Sequence, residues 1–200
     1  MQAPVSIFGL LLAAGSARRF GGNKLLERLP DGEPVLLASA RKLAAATDRC
    51  IVLLRPAQHA ERELLHAQGI EVLEVPDAGA GMGVTLARGV QATPGAGGWL
   101  VALADMPCIR DETLRYITRA LREGAPLAAP FHQGRRGHPV GFSTVWQQAL
   151  MTLEGDEGAR HLLRAHQDSI THVPVNDPGC LFDIDTPGDL RELSSGSACA

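Results

Sequence analysis

Arg18, Arg19 and Lys24 share a short stretch with Gly15, Gly21 and Gly22, directly after the apolar run Leu10-Leu11-Leu12-Ala13-Ala14. Cations and glycines at the exit of a buried strand make a phosphate cradle. Backbone N–H groups point at the anion, no Cβ blocks its approach, and the side chains neutralise it. Loop cations are by default solvated, but the place after the first strand and the glycines around it favour an anion site. Two better-defined phosphate loops are excluded. A Walker A motif needs Gly-Lys-[Ser/Thr], whereas Asn23 separates Gly22 from Lys24 and Leu25 follows the lysine. A dinucleotide fingerprint needs G-x-G-x-x-G, but Ala17 stands where the second glycine belongs. The later stretch Gly79-Ala80-Gly81-Met82-Gly83 fails too, with Val84 at the third glycine position.

The elements that must position this loop follow from periodicity. Residues 5–14 form a strand: no Lys or Arg precedes the run and the charges after it are positive, the reverse of a secretory signal. The run is also well short of the ~20 apolar residues a membrane helix needs. Residues 35–46 have helical spacing, residues 50–54 are an apolar run of strand length, and residues 57–68 are helix formers that end at Gly69. Residues 70–75 read as a less buried strand, 76–83 as a loop, 84–92 as a helix and 99–104 as a strand. A turn at Asp105-Met106-Pro107 precedes a helix over 111–123 with acidic residues in its first turn, and a strand over 127–131. Residues 132–141 read as a polar, glycine-bearing connection, 145–153 and 159–166 as helices, and 170–175 as a strand. Thr186 and Pro187 suit the N-cap and first position of a last helix to Leu193, and residues 194–200 have the composition of a loose tail. The expected organisation is one domain over residues 1–193.

Near-continuous apolar strands alternating with helices predict a mostly parallel sheet in a three-layer α/β/α sandwich. Ligands bind such folds at the carboxyl ends of strands, which points to the loops after Leu12, Val75, Leu103 and Ile184. At 200 residues and 45% hydrophobic composition the chain buries roughly 70% of its unfolded surface, enough for a core without staples. A net charge of −3, a pI near 6.1 and 4% aromatic residues exclude a nucleic-acid-coating or base-stacking protein. Cys50, Cys108, Cys180 and Cys199 have no ligand spacing and read as reduced thiols of a cytoplasmic protein. No H-E-x-x-H occurs among seven histidines, and Gly141-Phe142-Ser143 is not completed to G-x-S-x-G because position 145 is Val.

Leu12-Ala13-Ala14-Gly15, Arg19-Phe20-Gly21 and Lys24-Leu25-Leu26 together resemble the signature loop of the MobA-like nucleotidyltransferases, and within them the molybdenum cofactor cytidylyltransferases. The resemblance recurs in order at Gly81-Met82-Gly83-Val84-Thr85-Leu86, Asp105-Met106-Pro107, Gly137-His138-Pro139-Val140, Gly155-Asp156-Glu157-Gly158-Ala159-Arg160 and Asp183-Ile184-Asp185-Thr186-Pro187. One departure is Ala17, where the family often has Ser. Ala14 is similar to the cytidylyl branch, whereas the guanylyl branch more often shows Ala-Gly-Gly. The resemblance implies a Rossmann-like, nucleotide-diphospho-sugar transferase-like fold. It also implies a nucleotide site at Leu12, Ala13, Ala14, Gly15, Arg19, Lys24 and Thr85, and an acceptor site near Gly137, His138 and Pro139. Thr85 also reads as an ordinary capping residue, and His138 as an exposed loop histidine.

Nucleotidyl transfer needs the triphosphate neutralised and the pyrophosphate held in line. Arg19 and Lys24 serve this from the first loop, with Mg²⁺ held by one or two carboxylates and substrate oxygens. Asp105 follows a buried strand, and Asp185, preferred here over Asp183, lies near the last helix; both aspartates also suit turns and caps. Arg19, Lys24 and Asp105 are the expected catalytic residues, with Asp105 and Asp185 as metal ligands. The expected reaction moves CMP from CTP to the terminal phosphate of molybdopterin cofactor, and a molybdoenzyme then receives the product. The alternatives are GTP or another NTP as donor, a sugar or alcohol phosphate as acceptor, or a non-catalytic carrier of molybdenum cofactor.

Overall fold

β1 (Ile7–Leu12) has no polar face, and it needs none: it lies at the middle of the sheet with parallel neighbours on both sides. The computed structural model describes residues 5–15 and 20–194. Within them the strands are β1, β2 (Arg49–Leu54), β3 (Glu71–Glu74), β4 (Gly98–Leu103), β5 (Leu127–His132), β6 (Arg135–Arg136), β7 (Val140–Ser143) and β8 (Thr171–Pro174). The helices are α1 (Val35–Ala46), α2 (His59–His66), α3 (Met82–Gln91), α4 (Asp111–Arg122), α5 (Gln147–Met151), α6 (Arg160–Ala165) and α7 (Pro187–Ser194). The sheet runs β3-β2-β1-β4-β7-β5-β6, with β8 also pairing β5.

The β3-β2-β1-β4 half is parallel throughout, as expected. The other half corrects the reading of residues 132–141 as a plain connection. They hold the short β6 and the start of β7, and β7 runs antiparallel between β4 and β5. Its signal was weak for a physical reason. Gly141 interrupts the apolar pattern where α4 packs closest, so that a Cβ there would lie 2.8 Å from Ile117 Cγ2. With β7 reversed, β5 again runs parallel to β4, and β8 lies parallel against β5.

Two apolar cores sandwich the sheet. Ile7 and Leu11 point with Val52 and Leu100 toward α1 and α4, where Leu36, Leu43, Leu114 and Ile117 meet them. Leu10, Ile51 and Val101 point the other way, toward Leu86 and Val90 of α3, Leu150 of α5 and Leu163 of α6. This is the three-layer sandwich the alternation predicted. Gly9 lets α1 settle directly on β1, since a Cβ there would meet Leu43 Cγ at 2.7 Å. On the opposite side the Trp99 indole donates to Thr93 Oγ1 at 2.8 Å, satisfying the polar edge of a fully buried ring.

Cys50 and Cys180 are free thiols, and burial pushes them up to about 12 and about 11. Cys108 is disulfide-bonded, which corrects the expectation of four reduced thiols. Wide spacing along the chain carries no information about which sulfurs the fold brings together. Among the described residues no helix is long and apolar enough to cross a membrane.

Candidate functional site

The ladder that holds β1 between β2 and β4 also fixes where its exit loop begins. Ala13 N donates to Leu53 O, and Ala104 N donates to Leu12 O, both at 3.1 Å. The ends of β1, β2 and β4 therefore finish level, and their loops open into one cleft of about 760 Å³. Leu12, Ala13, Ala14, Gly15, Lys24, Thr85 and Asp105 all line it. Arg18 and Arg19 lie outside the described residues.

Lys24 is placed by the residue after it. Leu25 is buried in the core and anchors a short 3₁₀ turn, Lys24–Leu26, which leaves the lysine side chain at the cleft. Its Nζ donates to Asp105 Oδ2 at 2.7 Å and to Asp185 Oδ1 at 3.1 Å. Burial pulls the ammonium down, but hydrogen bonding and charge from Asp105 and then Asp185 outweigh it and hold Lys24 above the ordinary lysine range.

Asp105 and Asp185 are brought together through the backbone. Ile184 is fully buried, and its N–H donates to the Asp105 carbonyl at 2.9 Å. The aspartates on either side of Ile184 are thereby carried to β4's exit. Asp105, Asp183 and Asp185 each offer a carboxylate oxygen, all within 4.8 Å of one another. Asp183 is held above the usual carboxylate range by burial, then by the charges of Asp185 and Asp105. The capping alternative for Asp185 does not apply to its carboxylate. Asp189 Oδ2 accepts from the N–H groups of Asp185 and Thr186, and Thr186 Oγ1 accepts from Asp189 N, which is a capping box at the start of α7.

Three hard oxygen donors in so small a span suit Mg²⁺ or Mn²⁺, which keep open positions for phosphate oxygens. With Lys24 beside them, the set matches what a Mg²⁺-triphosphate needs: carboxylates for the ion and an ammonium for the phosphates.

Thr85 is buried inside α3, one turn past the N-cap Gly81, and its hydroxyl donates back to Gly81 O at 3.1 Å. It is therefore a cleft-lining helix residue and not a cap. Gly81, at φ +128°, permits a close approach that no side chain would allow: a Cβ there would lie 2.2 Å from Gly155 O. Gly83 N donates to that same carbonyl at 2.8 Å, and the approach brings Asp156 into the cleft wall.

Gly137, His138 and Pro139 sit apart from the cleft wall. Gly137 lies so close to Cys180 that a Cβ would be 2.4 Å from its carbonyl, which also accepts from His138 N at 2.9 Å. His138 is largely buried and its Nδ1 has no partner. Burial pushes its imidazole down to about 4, with Asp105 pulling upward and Arg136 and Arg160 pushing further down. The expectation of an exposed loop histidine is corrected.

Gln58 and Glu61 also line the cleft and were not anticipated. Both are buried. Gln58 Nε2 donates to Ala13 O at 3.1 Å and to Glu61 Oε1 at 3.0 Å, and Glu61 Oε1 also accepts from Asn23 Nδ2 at 3.0 Å. In sequence they are ordinary helix formers, and only the 3₁₀ turn of the first loop brings Asn23 to them.

Residues 9–170 match the family of MobA-like NTP transferase domains. The chain belongs to this family. The purine catabolism protein PucB of Bacillus subtilis (strain 168) is 33% identical over 198 residues, which cover 94% of this chain and 95% of that protein. A phosphoenolpyruvate guanylyltransferase of Sphaerobacter thermophilus is 28% identical over 160 residues, covering 74% of this chain and 76% of that one. The crystal structure of the Rv0371c complex with manganese, from Mycobacterium tuberculosis H37Rv, superposes with a TM-score of 0.78 at 30% identity. That match covers 96% of this chain and 100% of the other. Membership of the MobA-like family points to nucleotidyl transfer as the class of reaction.

Proposed function

We propose that this MobA-like protein transfers CMP from CTP to the terminal phosphate of molybdopterin cofactor and releases pyrophosphate. The observation that carries the reading is the contact of Lys24 with Asp105 and Asp185 at the mouth of the first loop. A phosphate-side cation beside a hard-metal cluster is the pairing that a Mg²⁺-bound polyphosphate calls for, and a carrier of finished cofactor has no need of it.

In this reading Leu12, Ala13, Ala14, Gly15 and Thr85 receive the nucleotide, Arg19 and Lys24 neutralise the triphosphate, and Asp105 and Asp185 hold Mg²⁺, joined by Asp183. The bound ion supplies charge neutralisation at the α-phosphate and the leaving group. An oxygen of the acceptor phosphate attacks the α-phosphorus, the bond to the β-phosphate oxygen breaks, and the pair of electrons leaves with pyrophosphate. The nucleophile is already an anion, so no side chain has to take a proton; the protein's part is alignment and charge. Gly137, His138 and Pro139 belong to the acceptor side.

The test offers CTP, GTP, ATP and UTP in turn with Mg²⁺ and molybdopterin cofactor, and reads pyrophosphate and the product nucleotide. CTP is expected to give pyrophosphate and a cytosine dinucleotide cofactor that a molybdoenzyme can receive. Preference for GTP would move the chain to the guanylyl branch, and pyrophosphate from none of the four would remove the reading.

A further inference from the structure

We propose that Ser39 and Lys42 of α1 are positioning residues that hold the turn carrying Asp105, so that its carboxylate is set for a divalent metal ion. The inference deepens the nucleotidyltransferase reading and rests on it for the reaction the metal serves.

The turn after β4 is buried, although it belongs to neither strand nor helix. Ala104, Met106, Cys108 and Ile109 are each at most 5% exposed. Backbone carbonyls taken out of water need donors. This segment is short of them, since it has left the sheet ladder and Pro107 has no N–H to give. Side chains of α1 supply what is missing. Ser39 Oγ donates to Ala104 O at 2.9 Å, and Lys42 Nζ donates to Pro107 O at 2.6 Å and to Ile109 O at 3.1 Å. Ser39 and Lys42 stand three residues apart, on one face of the helix.

These three bonds straddle Asp105. One grips the residue before it, and two grip the second and fourth residues after it. The carbonyl of Asp105 itself accepts from Ile184 N at 2.9 Å. With the backbone fixed on both sides, the carboxylate keeps little freedom beyond rotation of its own side chain. Lys42 is placed for this task. Its ammonium is directed at two carbonyls of the turn, whereas the neighbouring Arg41 pairs with Glu33 at 3.0 Å. A hydrogen bond from an ionised donor is roughly twice as strong as a neutral one, so the charge stiffens the grip.

The same helix supports the other half of the site. Val35 N, at the first residue of α1, donates to Glu27 O at 2.9 Å, directly after the 3₁₀ turn that carries Lys24. Leu25 of that turn shares one core with Val35 and Leu36. The contact of Lys24 Nζ with Asp105 Oδ2 at 2.7 Å therefore spans two loops that are both fastened to α1. The helix sets the distance between the phosphate-side cation and the metal-side carboxylate.

The test uses full-length Ser39→Ala and Lys42→Met, with Arg41→Met as a control that removes an ion pair from α1 without touching the turn. Each is titrated with Mn²⁺ by electron paramagnetic resonance without nucleotide, well below the lowest thermal midpoint of the set. CTP binding is measured separately in the presence of EDTA, and pyrophosphate release gives turnover. Mn²⁺ is expected to bind about tenfold more weakly to Ser39→Ala and to Lys42→Met, and as in wild type to Arg41→Met. Turnover should fall in the first two variants while metal-free CTP affinity stays unchanged. If wild type releases no pyrophosphate from any nucleotide, yet Mn²⁺ affinity still falls in both variants, the transfer reading falls and the positioning role stands. Wild-type Mn²⁺ affinity in either variant, even with a lowered thermal midpoint, overturns the proposal. So does an equal loss of Mn²⁺ affinity in Arg41→Met.

Discussion

The ammonium of Lys24 lies 2.7 Å from a carboxylate oxygen of Asp105, so the cation of the phosphate loop rests on the residue that would hold the metal. The two cations, lysine and metal ion, therefore draw on the same negative charge. At a few ångströms such interactions are strong enough to decide occupancy. We predict that Lys24→Ala binds Mn²⁺ about tenfold more tightly than wild type when no nucleotide is present, measured by electron paramagnetic resonance. The same variant should lose on the order of 10²–10³ in turnover, as removal of one transition-state charge stabiliser does. Weaker Mn²⁺ binding in the variant would contradict the shared-site geometry.

The three aspartates are not equivalent. Asp105 and Asp185 both contact Lys24, whereas Asp183 is the more exposed and is raised by burial and by its two neighbours. Asp105→Asn is expected to lower turnover by about 10²–10³ at saturating Mg²⁺, with Asp185→Asn close behind. Asp183→Asn is expected to cost about tenfold, since it removes one oxygen and also relieves repulsion. Steady-state pyrophosphate release over a range of Mg²⁺ concentrations separates the three. Near-wild-type turnover for Asp105→Asn would displace the site.

Much of this arrangement was legible in the chain because it depends on local pattern. β1 is a continuous apolar run, Gly69 closes α2 at φ +68°, and Thr186 with Pro187 starts α7. Those signals are carried by neighbouring residues. The convergence of the loops after Leu12, Val75 and Leu103 followed from the parallel-sheet rule that strand ends hold ligands, whereas Ile184 ends no strand and reaches the site through its N–H bond to the Asp105 carbonyl. The chain hid what depends on pairing across distance. β7 is short, is broken by Gly141, and gains its identity only from β4 and β5. Gln58 and Glu61 carry no motif, and the burial of His138 follows from its seat on Cys180, 42 residues further on.

His138 sets a pH dependence of stability. Its imidazole is pushed from 6.5 to about 4 by burial, opposed by Asp105 and aided by Arg136 and Arg160. Between those values the unfolded chain binds a proton that the folded chain refuses. Stability from this group is thus complete above about pH 6.5 and is lost as the pH falls toward 4. Thermal midpoints measured from pH 7.5 to 4 should fall less steeply for His138→Gln than for wild type. Parallel curves would mean that His138 takes up its proton in the folded state as readily as in the unfolded one.

Asp177 holds the approach to the aspartate pair from behind. Only 2% exposed, it accepts from Arg110 N at 2.9 Å, Thr113 Oγ1 at 2.6 Å and Gly179 N at 3.0 Å, joining the start of α4 to the chain before Asp183. Asp177→Ala leaves three donors without their acceptor, at about 1–3 kcal/mol for each that stays buried. A loss of about 3–5 kcal/mol is expected in urea unfolding, read as a lower midpoint at unchanged slope. A loss below about 1 kcal/mol would show that water replaces the carboxylate.

Glu61 should govern how well the first loop is held. Its Oε1 is shared by Asn23 Nδ2 and Gln58 Nε2, and Gln58 in turn is bound to Ala13 O, so both ends of the loop are tied to α2 and its N-cap. Asn23 immediately precedes Lys24, and a loose Asn23 leaves the ammonium free to wander. In the proposed reaction the lysine is aligned on the phosphates during transfer, and misplacement by about 1 Å is worth on the order of 10²-fold. Glu61→Ala is expected to lower turnover by about that factor, while Glu61→Gln, which keeps an acceptor oxygen for Asn23, restores most of it. Mn²⁺ binding without nucleotide should be affected far less than turnover, because the three aspartates are placed by Ile184 and α7 and not by α2. Equal losses in the alanine and glutamine variants would assign Glu61 a role through its charge and not through the tether to Asn23.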